Sequence, residues 1–241
     1  MTSERQEPPN TSDDPLRVLL VDNDEDITEL VTAILNDEGY AVTAMDRTDH
    51  DSIAAVVGQL EPDCILLDSA EAPEFGGSWA QAAYLSARPR AVPVVMFTAH
   101  SESVREARTG TSDRARAAGF ASIVAKPFAL DDLLDAVASA AGRSTRFDRS
   151  EAADRDRTRA LVEELNSAGA TDIRTSERRE WATFVSPRDD LIYQLYWWQR
   201  LGVYILGRYD DDARLERVGR FFERSSAIDA AIDESSIEAI S

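Results

Sequence analysis

Four short polar stretches carry the residues best suited to chemistry in this chain: Asp22-Asn23-Asp24, Asp68, Thr98 and Lys126-Pro127. Each closes or directly follows an apolar run of strand length, at Leu16 to Val21, Cys64 to Asp68, Val94 to Thr98 and Phe120 to Ala125. If these runs are strands of one sheet, carboxylates, a hydroxyl and an ammonium gather at the strand ends, where such sheets place their chemistry. Singly, each stretch also has a structural explanation. Asp22 to Asp26 would offset the dipole of a following helix, and Thr98 would serve as a helix N-cap.

The elements that must position these residues follow from apolar spacing. Leu16 to Val21 is too short for a helix and apolar throughout, which suits a strand buried on both faces of a parallel sheet. Ile27, Leu30, Val31, Ile34 and Leu35 then recur at helical spacing, with Asp24, Glu25 and Asp26 in the first turn and Gly39 just past the end. The alternation continues with strands at 40–45, 64–68, 94–98 and 120–125, and helices at 50–60, 77–87, 101–118 and 129–141. Five strands alternating with five helices predict an α/β fold, a doubly wound five-stranded parallel sheet whose loops at the C-terminal strand ends collect all four polar stretches.

In order and spacing these stretches resemble a response-regulator receiver domain of the flavodoxin-like fold over residues 16 to about 141. LLVDNDEDI resembles its first strand and acidic pocket, PDCILLDS its phosphoacceptor strand, VVMFTA the fourth strand with its switch hydroxyl, and VAKPF its Lys-Pro turn. The resemblance implies that Asp68 is the nucleophile, attacking the phosphorus of a phosphohistidine donor to give an acyl phosphate. It further implies Mg2+ held by Asp22, Asn23, Asp68 and the backbone carbonyl of Ala70. Lys126 and the Thr98 hydroxyl would meet the remaining phosphoryl oxygens. Inward movement of Thr98 would reshape the surface around the fourth helix and fifth strand, and the Lys126-Pro127 bond would be cis. The implied partner is a histidine kinase or phosphotransfer protein, and no enzymatic activity beyond self-phosphorylation is expected. The chain has 26 basic residues, and Lys126 is its sole lysine. A compact ammonium acts as a point charge on one phosphoryl oxygen, where the planar fork of Arg would need more room.

The sequence departs from the family in its signalling machinery. Asn23 stands where a carboxylate usually ligates the metal, so affinity for Mg2+ should fall, with Asp24 one residue on as the candidate to compensate. Ile123 replaces the aromatic expected three residues before the lysine. One extra residue precedes Pro73, and ESVREARTGTSDRARA makes the stretch from Thr98 to Lys126 about six residues longer by comparison with the family's pattern. Its Arg105, Arg108, Arg114 and Arg116 could form a basic face, although such a run is more often a solvated helix. A pseudo-receiver that keeps the fold but switches poorly is therefore the rival reading.

The length of 241 residues and a hydrophobic content of 43% accommodate a second, smaller domain. Residues 1–15, with Pro8, Pro9 and Pro15, read as a disordered tail, 16–142 as the receiver and the polar 143–150 as a linker. Residues 151–224 read as a small α+β domain and 225–241 as an acidic, partly helical tail. The expected order in the second domain is a helix at about 151–168, three strands, and a helix over Arg214 to Arg224; a helix starting at Ser186-Pro187 is an alternative for the LIYQLYWWQ segment. Trp181 to Phe222 gathers 10 of the 18 aromatics, and Trp197, Trp198, Tyr204 and Phe221 are expected as core and dimer interface.

The net charge of -19 is spread over both halves, which disfavours nucleic acid and anionic membrane as partners. A DNA-binding regulator is a lesser alternative, carried by Arg214, Arg217, Arg220 and Arg224 at helical spacing. A protein-binding or dimerising output is the default. Arginine in place of lysine with surplus acid would suit a cytoplasm at high salt. The lone Cys64, the absence of a membrane-length apolar stretch and an N-terminus without a signal-like apolar core predict a cytoplasmic protein.

Overall fold

The computed structural model describes residues 14–46, 50–68, 77–88, 91–142, 151–176, 179–198, 201–211 and 213–233. Residues 1–13 of the expected tail at 1–15, the linker at 143–150 and the loop holding Ala70 and Pro73 lie outside the described residues.

The first half alternates β1 (Arg17–Val21), α1 (Glu25–Asp37), β2 (Ala41–Met45), α2 (His50–Leu60), β3 (Cys64–Asp68), α3 (Gly77–Ser86) and β4 (Val94–Thr98). It continues with α4 (Ser101–Thr109), α5 (Asp113–Ala118), β5 (Ser122–Ala125) and α6 (Leu130–Ala140). The strands form one parallel sheet in the order β2-β1-β3-β4-β5. β3 and β4 are buried along their whole length, as their unbroken apolar runs require.

One helix was expected between β4 and β5, and two are present. Gly110 closes α4 in the left-handed conformation at φ 62°, and Ser112 opens α5 by accepting the Ala115 N–H at 3.1 Å. The added residues of this segment thus form a short helix whose Ala115 and Ala118 join the core with Trp79 and Ala82 of α3. Three of its four arginines are ion-paired locally, Arg105 with Glu102, Arg114 with Glu106 and Arg116 with Asp113, which matches a solvated face.

The second half comprises α7 (Glu151–Ser167), β6 (Thr171–Thr175), β7 (Trp181–Val185), β8 (Ile192–Trp198), β9 (Val203–Tyr209), β10 (Leu215–Phe221) and α8 (Arg224–Ile232). The strands form an antiparallel sheet in the order β10-β9-β8-β7-β6. Three differences from expectation stand out. There are five strands among the described residues where three were expected; of the two readings of the LIYQLYWWQ segment, the strand is the one found, with Ile192–Trp198 as β8. Arg214 to Arg224 is largely a strand, and the register shift between Arg217 and Gly219 puts Val218 and Phe221, three residues apart, on one face, a spacing that reads as helical. The segment expected as tail opens with α8, which buries Ala227, Ile228, Ala230 and Ala231.

The two sheets share a helical layer. Val18, Leu20, Leu66, Val95 and Phe97 on one face of the parallel sheet meet α1 and α6, and the same core takes in Trp181, Tyr196, Ile205, Tyr209 and Leu215 from the antiparallel sheet. The other face of the parallel sheet packs on α2, α3 and α5. The other face of the antiparallel sheet, with Phe184, Tyr193, Leu195, Tyr204 and Leu206, packs on Leu161 and Leu165 of α7 and on α8. Helix α1 is accordingly buried on two sides, at Ile27, Leu30, Val31, Ala33, Ile34 and Leu35. Among the described residues no helix is long and apolar enough to cross a membrane.

Candidate functional site

Parallel pairing of β1, β3, β4 and β5 brings their C-terminal ends to one edge of the sheet, and that edge gathers Asp22, Asp68, Thr98 and Lys126. All four are buried. The Lys126 ammonium lies between the two carboxylates, donating to Asp22 Oδ2 at 2.7 Å and to Asp68 Oδ1 at 3.1 Å. Beneath it, the Phe97 ring centroid is 4.6 Å from Nζ, and Phe97 in turn packs against Phe128. Phe97 was not singled out from sequence; its place just before Thr98, on the same strand, was the available signal.

Among the described residues of the pocket, two buried carboxylates face one buried ammonium. Burial pushes the Asp22 carboxyl above its usual range; Lys126 opposes this and Asp68 adds to it. Burial by itself would lower the Lys126 pKa, but Asp68 and Asp22 outweigh it, and the ammonium is held charged beyond its ordinary value.

The other expected site residues divide. The Thr98 side chain is fully buried and its Oγ1 accepts the His100 N–H at 3.0 Å, so Thr98 braces the β4–α4 turn. The N-cap of α4 is His100, not Thr98. Asn23 is exposed at the rim. Asp24 does not supply the carboxylate missing at position 23: one of its oxygens caps α1 at the Ile27 N–H, 3.0 Å away, and the other accepts the Leu215 N–H at 3.3 Å. The Lys126-Pro127 bond is cis. Ile123 is half-buried on β5 with its side chain against the α3 side of the sheet, away from the lysine.

A family model described as the response regulator receiver domain matches residues 18–138, half of the chain. The chain belongs to this receiver-domain family. Among curated proteins, the receiver chain is 32% identical over 142 residues to a protein-glutamate methylesterase/protein-glutamine glutaminase of Symbiobacterium thermophilum, an alignment covering 55% of this chain and 37% of that protein. It is 29% identical to the transcriptional regulatory protein PdtaR of Mycobacterium tuberculosis, over 62% of this chain and 70% of that one. Among solved structures, the receiver domain of NtrX from Brucella abortus is 27% identical, with a TM-score of 0.42, and covers 53% of this chain and 99% of its own. The chain spans little more than a third of the length of the methylesterase. The family is that of two-component response regulators.

Proposed function

We propose that this protein is a two-component response regulator whose Asp68 accepts a phosphoryl group from a phosphohistidine of a histidine kinase or phosphotransfer protein. The single observation that carries the reading is the Lys126 ammonium bridging Asp22 and Asp68 at the C-terminal edge of the parallel sheet. In the reaction, an Asp68 oxygen attacks phosphorus, the bond from phosphorus to the imidazole nitrogen breaks, and the donor leaves as neutral histidine once protonated. Lys126 supplies a charged hydrogen bond to a phosphoryl oxygen, and Phe97 and the buried sheet edge fix its position. Thr98 offers a hydroxyl one strand away, whose oxygen accepts from the His100 N–H and whose proton is the one to donate to a phosphoryl oxygen.

The donor chemistry of the pocket fits a hard divalent cation, since two adjacent buried carboxylates supply hard oxygen donors. Asp22 and Asp68 would hold Mg2+, with the Asn23 amide and the Ala70 carbonyl as further oxygen donors. When bound, the ion neutralises charge on the transferring group. Asn23, being neutral and exposed, supports weaker binding than a carboxylate would.

The same residue favours a second reading, a pseudo-receiver that uses the fold as an interaction scaffold. For the C-terminal domain the proposed role is protein interaction, with a target protein or a second copy. Three of the four arginines that suggested a DNA-binding helix support this: Arg217 and Arg220 pair with Glu29, and Arg224 pairs with Glu164 and Glu180. No catalytic output is proposed for it, and a cytoplasmic location follows from the signalling role. Incubation of the full chain with Mg2+ and a small-molecule phosphodonor separates the two readings by intact mass. A gain of one phosphoryl group that Asp68→Asn abolishes is expected; no gain favours the pseudo-receiver.

A further inference from the structure

Strand β10 lies at the edge of the antiparallel sheet, so alternate backbone N–H groups face away from β9 and need other acceptors. Two of them are taken by carboxylates of the receiver. Leu215 donates to Asp24 Oδ2 at 3.3 Å and Arg217 to Asp26 Oδ2 at 2.9 Å. The side chains of Arg217 and Arg220 then close on the two oxygens of Glu29. The first turn of α1 thus stands where a neighbouring strand would pair.

Asp24 joins this contact to the pocket. Its N–H donates to Asp22 Oδ1 at 2.9 Å, its Oδ1 caps α1 and its Oδ2 holds Leu215. Asp22 uses its other oxygen on Lys126, which also holds Asp68. A continuous run of hydrogen bonds leads from Asp68 through Lys126, Asp22 and Asp24 to the backbone of the C-terminal sheet. We propose that the C-terminal sheet reads the state of the Asp68 pocket through Asp24, and that a change of charge at the pocket loosens β10 from the loop between β1 and α1. For its trigger this rests on the phosphoacceptor reading; the path itself is a property of the loop.

The physical basis is that Asp22 cannot serve two arrangements at once. A phosphoryl group on Asp68 competes with Asp22 for the Lys126 ammonium, and the released Asp22 carboxylate turns towards whatever charge the pocket then holds. The Asp24 N–H loses its acceptor, and with it the placement that lets one carboxylate meet both Ile27 and Leu215. Leu215 then loses its acceptor, and the edge strand, still held at Arg217 by Asp26 and Glu29, opens locally around Leu215.

Hydrogen exchange of the full chain, read by mass spectrometry over residues 213–221, tests this, with residues 181–198 reporting whether the sheet is intact. Asp22→Ala removes the acceptor of the Asp24 N–H and needs no ligand. Exchange over 213–221 is expected to rise at least about five-fold, the lower end of ordinary coupling between sites, while 181–198 stays protected. Treatment with Mg2+ and a small-molecule phosphodonor is expected to give the same rise in protein whose intact mass shows a phosphoryl group. Asp24→Ser keeps a capping oxygen for Ile27 but has none for Leu215, and it is expected to erase the difference between treated and untreated protein. Unchanged exchange over 213–221 in Asp22→Ala, or a rise shared equally by 181–198, overturns the path whether or not Asp68 accepts a phosphoryl group. Phosphoryl gain without a change over 213–221 also overturns it and leaves the phosphoacceptor reading standing. No phosphoryl gain, with the Asp22→Ala rise present, supports the path and overturns the phosphoacceptor reading alone.

Discussion

The Asp24 carboxylate accepts the backbone N–H of Leu215 at 3.3 Å across 191 residues of sequence. It is one of several polar contacts by which the C-terminal sheet is fastened to α1. Arg179 reaches Glu38 Oε1 at 2.7 Å, and the Tyr196 hydroxyl donates to Asp37 Oδ2 at 2.8 Å. Between these ends, Trp181, Tyr196, Ile205 and Leu215 bury themselves in the receiver's own core. The two halves of the chain therefore share apolar surface as well as ion pairs.

That shared core predicts joint unfolding. Trp181 is fully buried in the core that the two halves share, and Trp181→Ala should cost about 3–5 kcal/mol, as large truncations in packed cores do. Calorimetry of the native chain is expected to show one transition, and that of the variant two, as the halves lose their common layer. Two transitions in the native chain would contradict this.

Lys126→Met leaves Asp22 and Asp68 facing each other without a counter-charge, a change that costs about 3–5 kcal/mol for a buried pair. The sign with pH follows from Asp22, whose carboxyl is already raised by burial and would rise further without Lys126. A carboxyl raised on folding contributes stability below its unfolded value, near 3.9, which is lost as pH rises through the folded value. The variant should accordingly lie closest to the native protein in acid and diverge towards neutral pH. Urea titrations at acid and neutral pH measure this; a gap that is constant with pH would contradict it.

Alkaline stability should report on the tyrosines of the second domain. Burial raises Tyr196, Tyr204 and Tyr209, helped by Asp37, Glu180 and Asp24 respectively. Phenols raised on folding lend stability that is full below about pH 10, the ordinary tyrosine value, and is lost as pH climbs above it. Ultraviolet titration is expected to show these phenolates appearing together with loss of circular dichroism. Tyr196→Phe should make the alkaline limb shallower. Reversible ionisation near pH 10 in a folded chain would be inconsistent with this account.

Cys64 is fully buried on β3, and burial, with Asp63 beside it, pushes its thiol up to about 12. A disulfide-exchange reagent at pH 8 is expected to leave it unmodified in the native protein and to react fully in denaturant. Rapid native labelling would show that β3 opens.

Much of the first domain is legible in sequence because its strands are uniformly apolar and each ends on a polar residue with a distinct task. The lysine is identifiable by its uniqueness, and the pocket follows once Asp22, Asp68 and Lys126 are placed at strand ends. The break at Gly110 was hidden by a continuous charged pattern over 101–118, although a glycine followed by Ser112 is a stop and a start. In the second domain the bulge near Val218 replaces strict alternation by a three-residue spacing, so β10 reads as a helix. The docking of the two halves was carried by α1, whose six buried positions cover too wide an arc for one partner. Asp24 could not be assigned from sequence either, since its acceptor role depends on a strand that begins 191 residues later.

Chemical trapping shows whether Asp68 becomes the acyl phosphate. After incubation with Mg2+ and a small-molecule phosphodonor, borohydride reduces an aspartyl phosphate to homoserine, and peptide sequencing by mass spectrometry locates the product. Homoserine is expected in place of Asp68 and at no other aspartate. Trapping at a different residue, or none at Asp68 in folded protein supplied with both reagents, would contradict it.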